Sequence, residues 1–448
     1  MSDNLPEGES SIVGGQQTTL LTGLNGYRFL ELWIGVGRDR LEPVIIPCYL
    51  FTSCAGAIFS MFKTSFSLVV FVSLVTLVSA EKPIPAGKWR AVEIDQISIG
   101  YGVQLTDVNG DGKTDIVLAD KKTFQWYENP SWTKHIIAKD LTVRDNVCIT
   151  ARDIDGDGKC EIAVGGQWNY RESLKDGAVF YLIPPQDRTK LWKPVRLHNE
   201  PSTHRMHWVK GRGDAYQLLV KPLRGRGSVD GDGPGLRLLE YFMPPNPQDE
   251  WKFGVVCDFI HLSHNFHPVN WDDDPEEEVI VAGREGVWHF DRQKDDWAAT
   301  QLTKNFAGEI RDGRLPNGKR FIVTVEPKHG SVCAVYTEPA KQGDLWPSLK
   351  VLDDKLKDGH ALACADYLGT GSDQIVVGWR AMNDPGVPGI KLFTPLNKDA
   401  TKWRDDRLSS EKVAVEDIKV ADLNGDGKVD IVAAARQTKN LVVFFNER

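Results

Sequence analysis

The sequence predicts an all-β chain folded as a seven-bladed β-propeller, closed by the N-terminal strand completing the last blade. Three observations predict it. An Asp/Gly-rich phrase recurs at three places and leads each time into an apolar strand. Four weaker copies of the same phrase raise the count to seven. Finally, the last copy stops one strand short, while the chain from Lys88 to Ile94 reads as the missing strand. Repetition of one four-stranded unit is the sequence signature of a propeller, whose ring leaves few exposed strand edges.

The clearest copy is Asp422-Leu-Asn-Gly-Asp-Gly-Lys-Val-Asp430. Oxygen-bearing side chains stand at Asp422, Asn424, Asp426 and Asp430, with the Lys428 carbonyl between the last two. Gly425 and Gly427 let the backbone fold them inward. This is the loop chemistry of a hard cation, and Ca²⁺ is its usual occupant. It is not an EF-hand, because no glutamate closes the loop at the twelfth position and a strand comes next. The same pattern gives Asp107, Asn109, Asp111, Lys113 and Asp115 in one copy. In the other it gives Asp153, Asp155, Asp157, Lys159 and Glu161. An Asp/Gly-rich turn without metal is the bland alternative for any one copy.

Composition narrows the function classes. The chain has 448 residues, 62 Asp+Glu and a net charge of −8. No basic cluster is present, which argues against a nucleic-acid partner. Residues 61–80 read as a signal peptide, with Lys63 ahead of an apolar core and the small-residue site Val78-Ser-Ala80. The run is short for a membrane span, and no cationic cluster comes after it. Residues 1–60 are then expected to come from a misassigned upstream start. Residues 81–448 are expected to be the propeller of a secreted or periplasmic protein. The five cysteines after Glu81 (Cys148, Cys160, Cys257, Cys333, Cys364) form no disulfide framework and read as small buried residues.

From Trp89 onward each copy runs loop, β-rich strand, aromatic strand, turn, Trp and a final alternating strand. The degenerate copies lead into 217–220, 279–282, 321–325 and 375–377. The glycine-rich stretch Arg224–Gly235 contains Asp230-Gly-Asp-Gly233 out of register, and reads as an excursion over the pocket face.

In a propeller the first strand of each blade lines the axis, so equivalent positions converge there. Six residues before each loop stand Tyr101, Val147, His204, His264, Phe306, His360 and Glu416. Imidazoles converging from separate blades suit a transition metal, above all Zn²⁺. His204, His264 and His360 are the expected zinc ligands, with Glu416 as a fourth ligand or a group behind them. Water-bound channel histidines are the alternative. After the second strands, on the same face, stand Trp168, Lys221, Arg224, Arg380 and Arg436, a set suited to a polar, oxygen-rich ligand such as a sugar. His329 is the expected free acid/base. His207 and His267 fall three residues before their loops, on the opposite strand face by parity, and read as structural.

The loops resemble the FG-GAP/VCBS repeat. The phrases His204-Arg-Met-His-Trp208, Pro222-Leu-Arg-Gly-Arg-Gly227, His264-Asn-Phe-His-Pro268, Glu326-Pro-Lys-His-Gly330 and Gly359-His-Ala361 resemble the propeller domain of the aldos-2-ulose dehydratase (1,5-anhydrofructose dehydratase) family. That resemblance implies a zinc ion in the propeller cleft and dehydration of a keto-sugar such as 1,5-anhydro-D-fructose. The expected function is therefore a zinc-dependent lyase acting on a small carbohydrate. A non-catalytic FG-GAP propeller binding carbohydrate or a protein partner is the alternative.

Overall fold

A computed structural model of the chain describes residues 84 and 86–448, apart from 273, 295, 383–386 and 410–411, together with the backbone of four strands nearer the N-terminus. The chain divides into two compact units, Met1–Ala80 and Glu81–Arg448. In the first, the strands Glu9–Val13, Gln16–Thr22, Arg28–Gly35 and Leu41–Pro47 pair in chain order as an antiparallel sheet. The expected signal segment, 61–80, lies outside the described residues. Among the described residues, no helix is long and apolar enough to cross a membrane.

The second unit is a seven-bladed propeller. Its described residues form seven four-stranded antiparallel sheets, six of which take their strands in chain order. The innermost strands of blades 1 to 7 are Gly102–Thr106, Cys148–Arg152, Thr203–Lys210, Phe266–Val269, Glu309–Arg314, Gly359–Ala365 and Val415–Ala421. Each touches the inner strand of the next blade, and that of blade 7 touches that of blade 1, so the ring closes.

Blade 7 takes its fourth strand from the start of the unit. Trp89–Gln96 pairs antiparallel with Asn440–Asn446, placing Trp89 opposite Asn446. The expected closure is present, and it covers a strand edge that would otherwise be open to pairing with another chain.

Burial explains why these segments become these strands. Second strands lie between neighbouring blades and are buried on both faces, as in Asp115–Ala119, Glu278–Gly283 and Asp430–Ala435. They accordingly read as continuous apolar runs. Outer strands such as Lys193–Leu197 are largely exposed and polar. The core is divided into clusters between adjacent blades, Trp126 with Phe180 for example, and Val103 with Val432 across the closure. The five cysteines are free, four of them buried.

Candidate metal centre

The axial histidines are aimed by a local backbone device. In blades 3, 6 and 7 strand pairing skips one residue. It passes from Thr203↔Pro222 to Arg205↔Lys221, from Gly359↔Trp379 to Ala361↔Gly378, and from Val415↔Ala435 to Asp417↔Ala434. The residues left over are His204, His360 and Glu416. A bulge bends its strand and re-aims the extra side chain. His264 precedes the inner strand of blade 4, and His329 comes from the turn after Arg320–Glu326 in blade 5.

Four imidazoles meet as a result. The His264 ring lies 4.1 Å from His329, 4.6 Å from His360 and 4.7 Å from His204, between centroids. His329 and His360 are 4.5 Å apart. One ring nitrogen each from His264, His329 and His360 lies within 4.8 Å of the others. His204, expected among the ligands, lies outside this trio, stacked on Trp168 at 4.8 Å, while His329, expected to stay free, stands in its place.

The partners fix which nitrogens are free. His264 Nδ1 is 2.6 Å from a Glu309 carboxylate oxygen, and His360 Nδ1 is 2.6 Å from the Glu416 carbonyl. With Nδ1–H donated in each case, Nε2 keeps its lone pair. His329 Nδ1 accepts from an Arg380 guanidinium N–H at 3.2 Å, and the Asp358 carboxylate 3.5 Å away would take a proton on Nδ1 only in the other tautomer. Nε2 of His264, Nε2 of His329 and both ring nitrogens of His204 are buried without a hydrogen-bond partner. Burial pushes all four imidazoles well below the ordinary histidine range, with neighbouring cations adding to the effect. That favours the neutral form, which metal ligation requires. Buried polar nitrogens are rarely left unpaired, so this set of donors fits a transition metal.

The surrounding groups divide into holders and lining. Glu416 faces His360 Nε2 at 3.8 Å, and its carboxylate is engaged by Arg380 and by Arg436, the latter at 3.2 Å. It acts as the anchor of two guanidiniums. Arg436 lies over the Tyr101 ring, and Trp168 is half-buried beside His204. Lys221 is turned inward, its Nζ donating to the Ser263 carbonyl at 2.6 Å. Arg224 is buried and donates to the Tyr170 carbonyl. The glycine-rich stretch folds onto neighbouring blades, with Ser173 donating to the Ser228 carbonyl at 2.8 Å and Arg284 pairing with Asp232 at 2.8 Å.

Two features escaped sequence reasoning. Glu309, the buried carboxylate that orients His264 and accepts from Asn265 at 2.7 Å, stands three residues beyond the position counted back from its degenerate loop. An acidic residue opening an inner strand was the only signal. His207, read as facing away from the axis, lines a small axial void together with Arg205 and Lys419. The bulge at His204 absorbs one residue, which reverses the parity that period-two counting assigns downstream.

The three Asp/Gly loops share one internal geometry. Asp422 accepts from the Gly425 N–H at 2.8 Å and the Gly427 N–H at 2.7 Å, and both glycines lie in the left-handed region (φ 75° and 78°). Asp107 and Asp153 repeat these contacts. Asn424, Asn109 and Asp155 each accept from the N–H two residues on. Lys113 pairs with Asp111, and Lys428 with Asp426, through their ammonium groups. Asp157 accepts from the Lys159 N–H. Asp115, Glu161 and Asp430 close the loops from buried positions, each accepting a backbone N–H from the loop's second residue. Burial raises the Asp115 carboxyl to about 6 and that of Glu161 to about 7. Asp153, Asp155 and Glu161 bring one oxygen each within 4.8 Å of one another.

Comparison with known proteins agrees with the architecture. The FG-GAP-like repeat family matches residues 107–164, the stretch holding the first two loops. No curated protein sequence matches the chain. Among solved structures, a chain of the mitotic checkpoint complex aligns at TM-score 0.51 and 11% identity, covering 86% of this chain and 99% of that one. The β-propeller domain of Cps50 (Swd1) from Myceliophteria thermophila aligns at TM-score 0.49 and 9% identity, covering 79% and 99%. The first of these likenesses speaks to the fold alone.

Proposed function

We propose that the axial centre binds one zinc ion and eliminates water from a keto-sugar such as 1,5-anhydro-D-fructose. The observation carrying this reading is the convergence of ring nitrogens from His264, His329 and His360, two of them buried without partners. His264 and His360 would hold the ion through Nε2, and His329 would complete the set. Bound zinc would supply a Lewis acid for the carbonyl oxygen. Glu309 and the Glu416 carbonyl fix the two ring orientations, as carboxylates and carbonyls do behind metal-binding histidines.

His204 then takes the role of base. It is neutral, both its nitrogens are unpartnered, and the Trp168 stack holds its ring. It accepts the proton from the carbon beside the carbonyl. The electron pair of that C–H bond forms the C=C bond as the neighbouring C–O bond breaks. The proton on His204 then goes to the departing hydroxyl, which leaves as water. Arg436, pinned by Glu416 and 36% exposed, would donate to sugar hydroxyls with Arg380 bracing Glu416 behind it, and Trp168 would offer an apolar face.

The reading extends to calcium in the loops of blades 1, 2 and 7, where it braces the fold. It also takes residues 61–80 as an export signal, which would expose the loops to extracellular calcium.

Elemental analysis of the full chain, purified without chelator, tests the centre. About one zinc per chain is expected, lost in His264→Ala, His360→Ala and His329→Ala. His204→Ala should keep zinc but lose elimination, followed as enone absorbance with 1,5-anhydro-D-fructose. Protein containing calcium but no zinc would overturn the reading. Zinc binding with no elimination from any keto-sugar would leave a carbohydrate-binding module.

A further inference from the structure

Beyond the histidines the propeller axis carries charge without matching partners. Arg205 and Lys419, from the inner strands of blades 3 and 7, line one small void with Gln104, His207, Asn265 and Asp417. Its volume, 20 Å³, admits about one water-sized particle, since roughly 10–15 Å³ suffices. Arg311, buried on the inner strand of blade 5, lies within electrostatic reach of Lys419.

None of these three cations has a carboxylate within 4.0 Å among the described residues. Arg205 reaches only the Val147 and His204 carbonyls, both at 3.4 Å, and Arg311 donates to the Ile310 carbonyl. The nearby acids are engaged elsewhere. Asp417 accepts from the Val103 and Ile418 N–H groups, Glu309 serves His264 and Asn265, and Asp312 pairs with Arg320. Burial, with Arg311 and Arg205 adding, lowers the Lys419 ammonium to about 8, still cationic at neutral pH. Burial lowers the His207 and His267 imidazoles, Asp312 partly opposing the shift at His267. Three cations against Asp417 and Glu309, both within electrostatic reach of them, leave one positive charge in excess around a space of one small particle. A buried charge needs a counter-charge or full hydrogen bonding.

We infer that this axial void seats a single halide-sized monovalent anion between Arg205 and Lys419, with Arg311 behind them. Arg and Lys N–H groups would donate to it from opposite blades, tying blades 3 and 7 across the axis. The seat is independent of the zinc proposed above.

Bromide is the probe. Crystals of the full chain soaked in sodium bromide should show an anomalous peak between Arg205 and Lys419. Chloride-35 NMR on metal-free protein should show excess line broadening that bromide displaces. Lys419→Met should abolish that broadening. An ordered water at the position, with bromide only at surface sites, would overturn the inference. The crystallographic arm uses the wild-type chain, so a misfolded variant cannot obscure the answer.

Discussion

His264 and Glu309 stand 2.6 Å apart on adjacent blades, each side chain 1% exposed. Burial raises the Glu309 carboxyl and lowers the His264 imidazole, so the contact is a neutral ring donating Nδ1–H rather than an ion pair. Glu309→Gln keeps the volume but weakens the acceptor and can present an N–H to the ring instead. If the axial centre holds zinc as proposed, its affinity should fall about 10–100-fold. Competition against a chromogenic chelator measures this, and an unchanged affinity would show that Glu309 does not orient a ligand.

Calcium should stabilise the chain. If the loops of blades 1, 2 and 7 bind it only when folded, a 100-fold excess over Kd contributes about 2.7 kcal/mol per site. Thermal unfolding with and without chelator should therefore differ by several degrees. Asp422→Asn should remove most of the blade 7 share, because the amide can still accept from Gly425 but carries no charge. A midpoint independent of calcium would mean that the loops hold themselves together as turns alone.

Ring closure can be tested by cutting it. Removing residues up to Gln96 exposes the edge of Asn440–Asn446 and uncovers the cluster against which Trp89 packs. The shortened chain should aggregate or dimerise through that edge, seen as early elution in size-exclusion chromatography. A stable monomer would indicate that six complete blades hold the seventh unaided.

His289 offers a pH test away from the axis. It is buried against Trp271, with ring centroids 4.5 Å apart, and burial lowers it to about 4, Asp291 partly opposing the shift. The folded state therefore binds fewer protons than the unfolded one between about pH 6.5 and 4. Stability should decline as pH falls through that window, by on the order of 3 kcal/mol from this group. His289→Phe, which preserves the stack, should flatten this part of the curve relative to wild type in urea titrations. Parallel curves would show that His289 does not titrate there.

Much of the molecule was legible in the sequence. A repeated four-strand unit reproduces the same backbone each time, so register alone yields the blade count, the closure by Trp89–Gln96 and the convergence of His204, His264 and His360. A repeat cannot encode how side chains from different copies meet. The bulges at His204, His360 and Glu416 each absorb one residue and reverse the strand parity downstream, and the one at His204 places His207 on the axis. Glu309 sits in a copy whose loop has lost the landmark used for counting. His329 lies in a turn, outside any strand register. Whether it stands apart or beside His264 depends on the packing of blade 5 against blade 4. Local spacing determined the ring and the residues offered to its axis. Tertiary packing alone decided which nitrogens face each other, because those distances run between segments 45 to 56 residues apart.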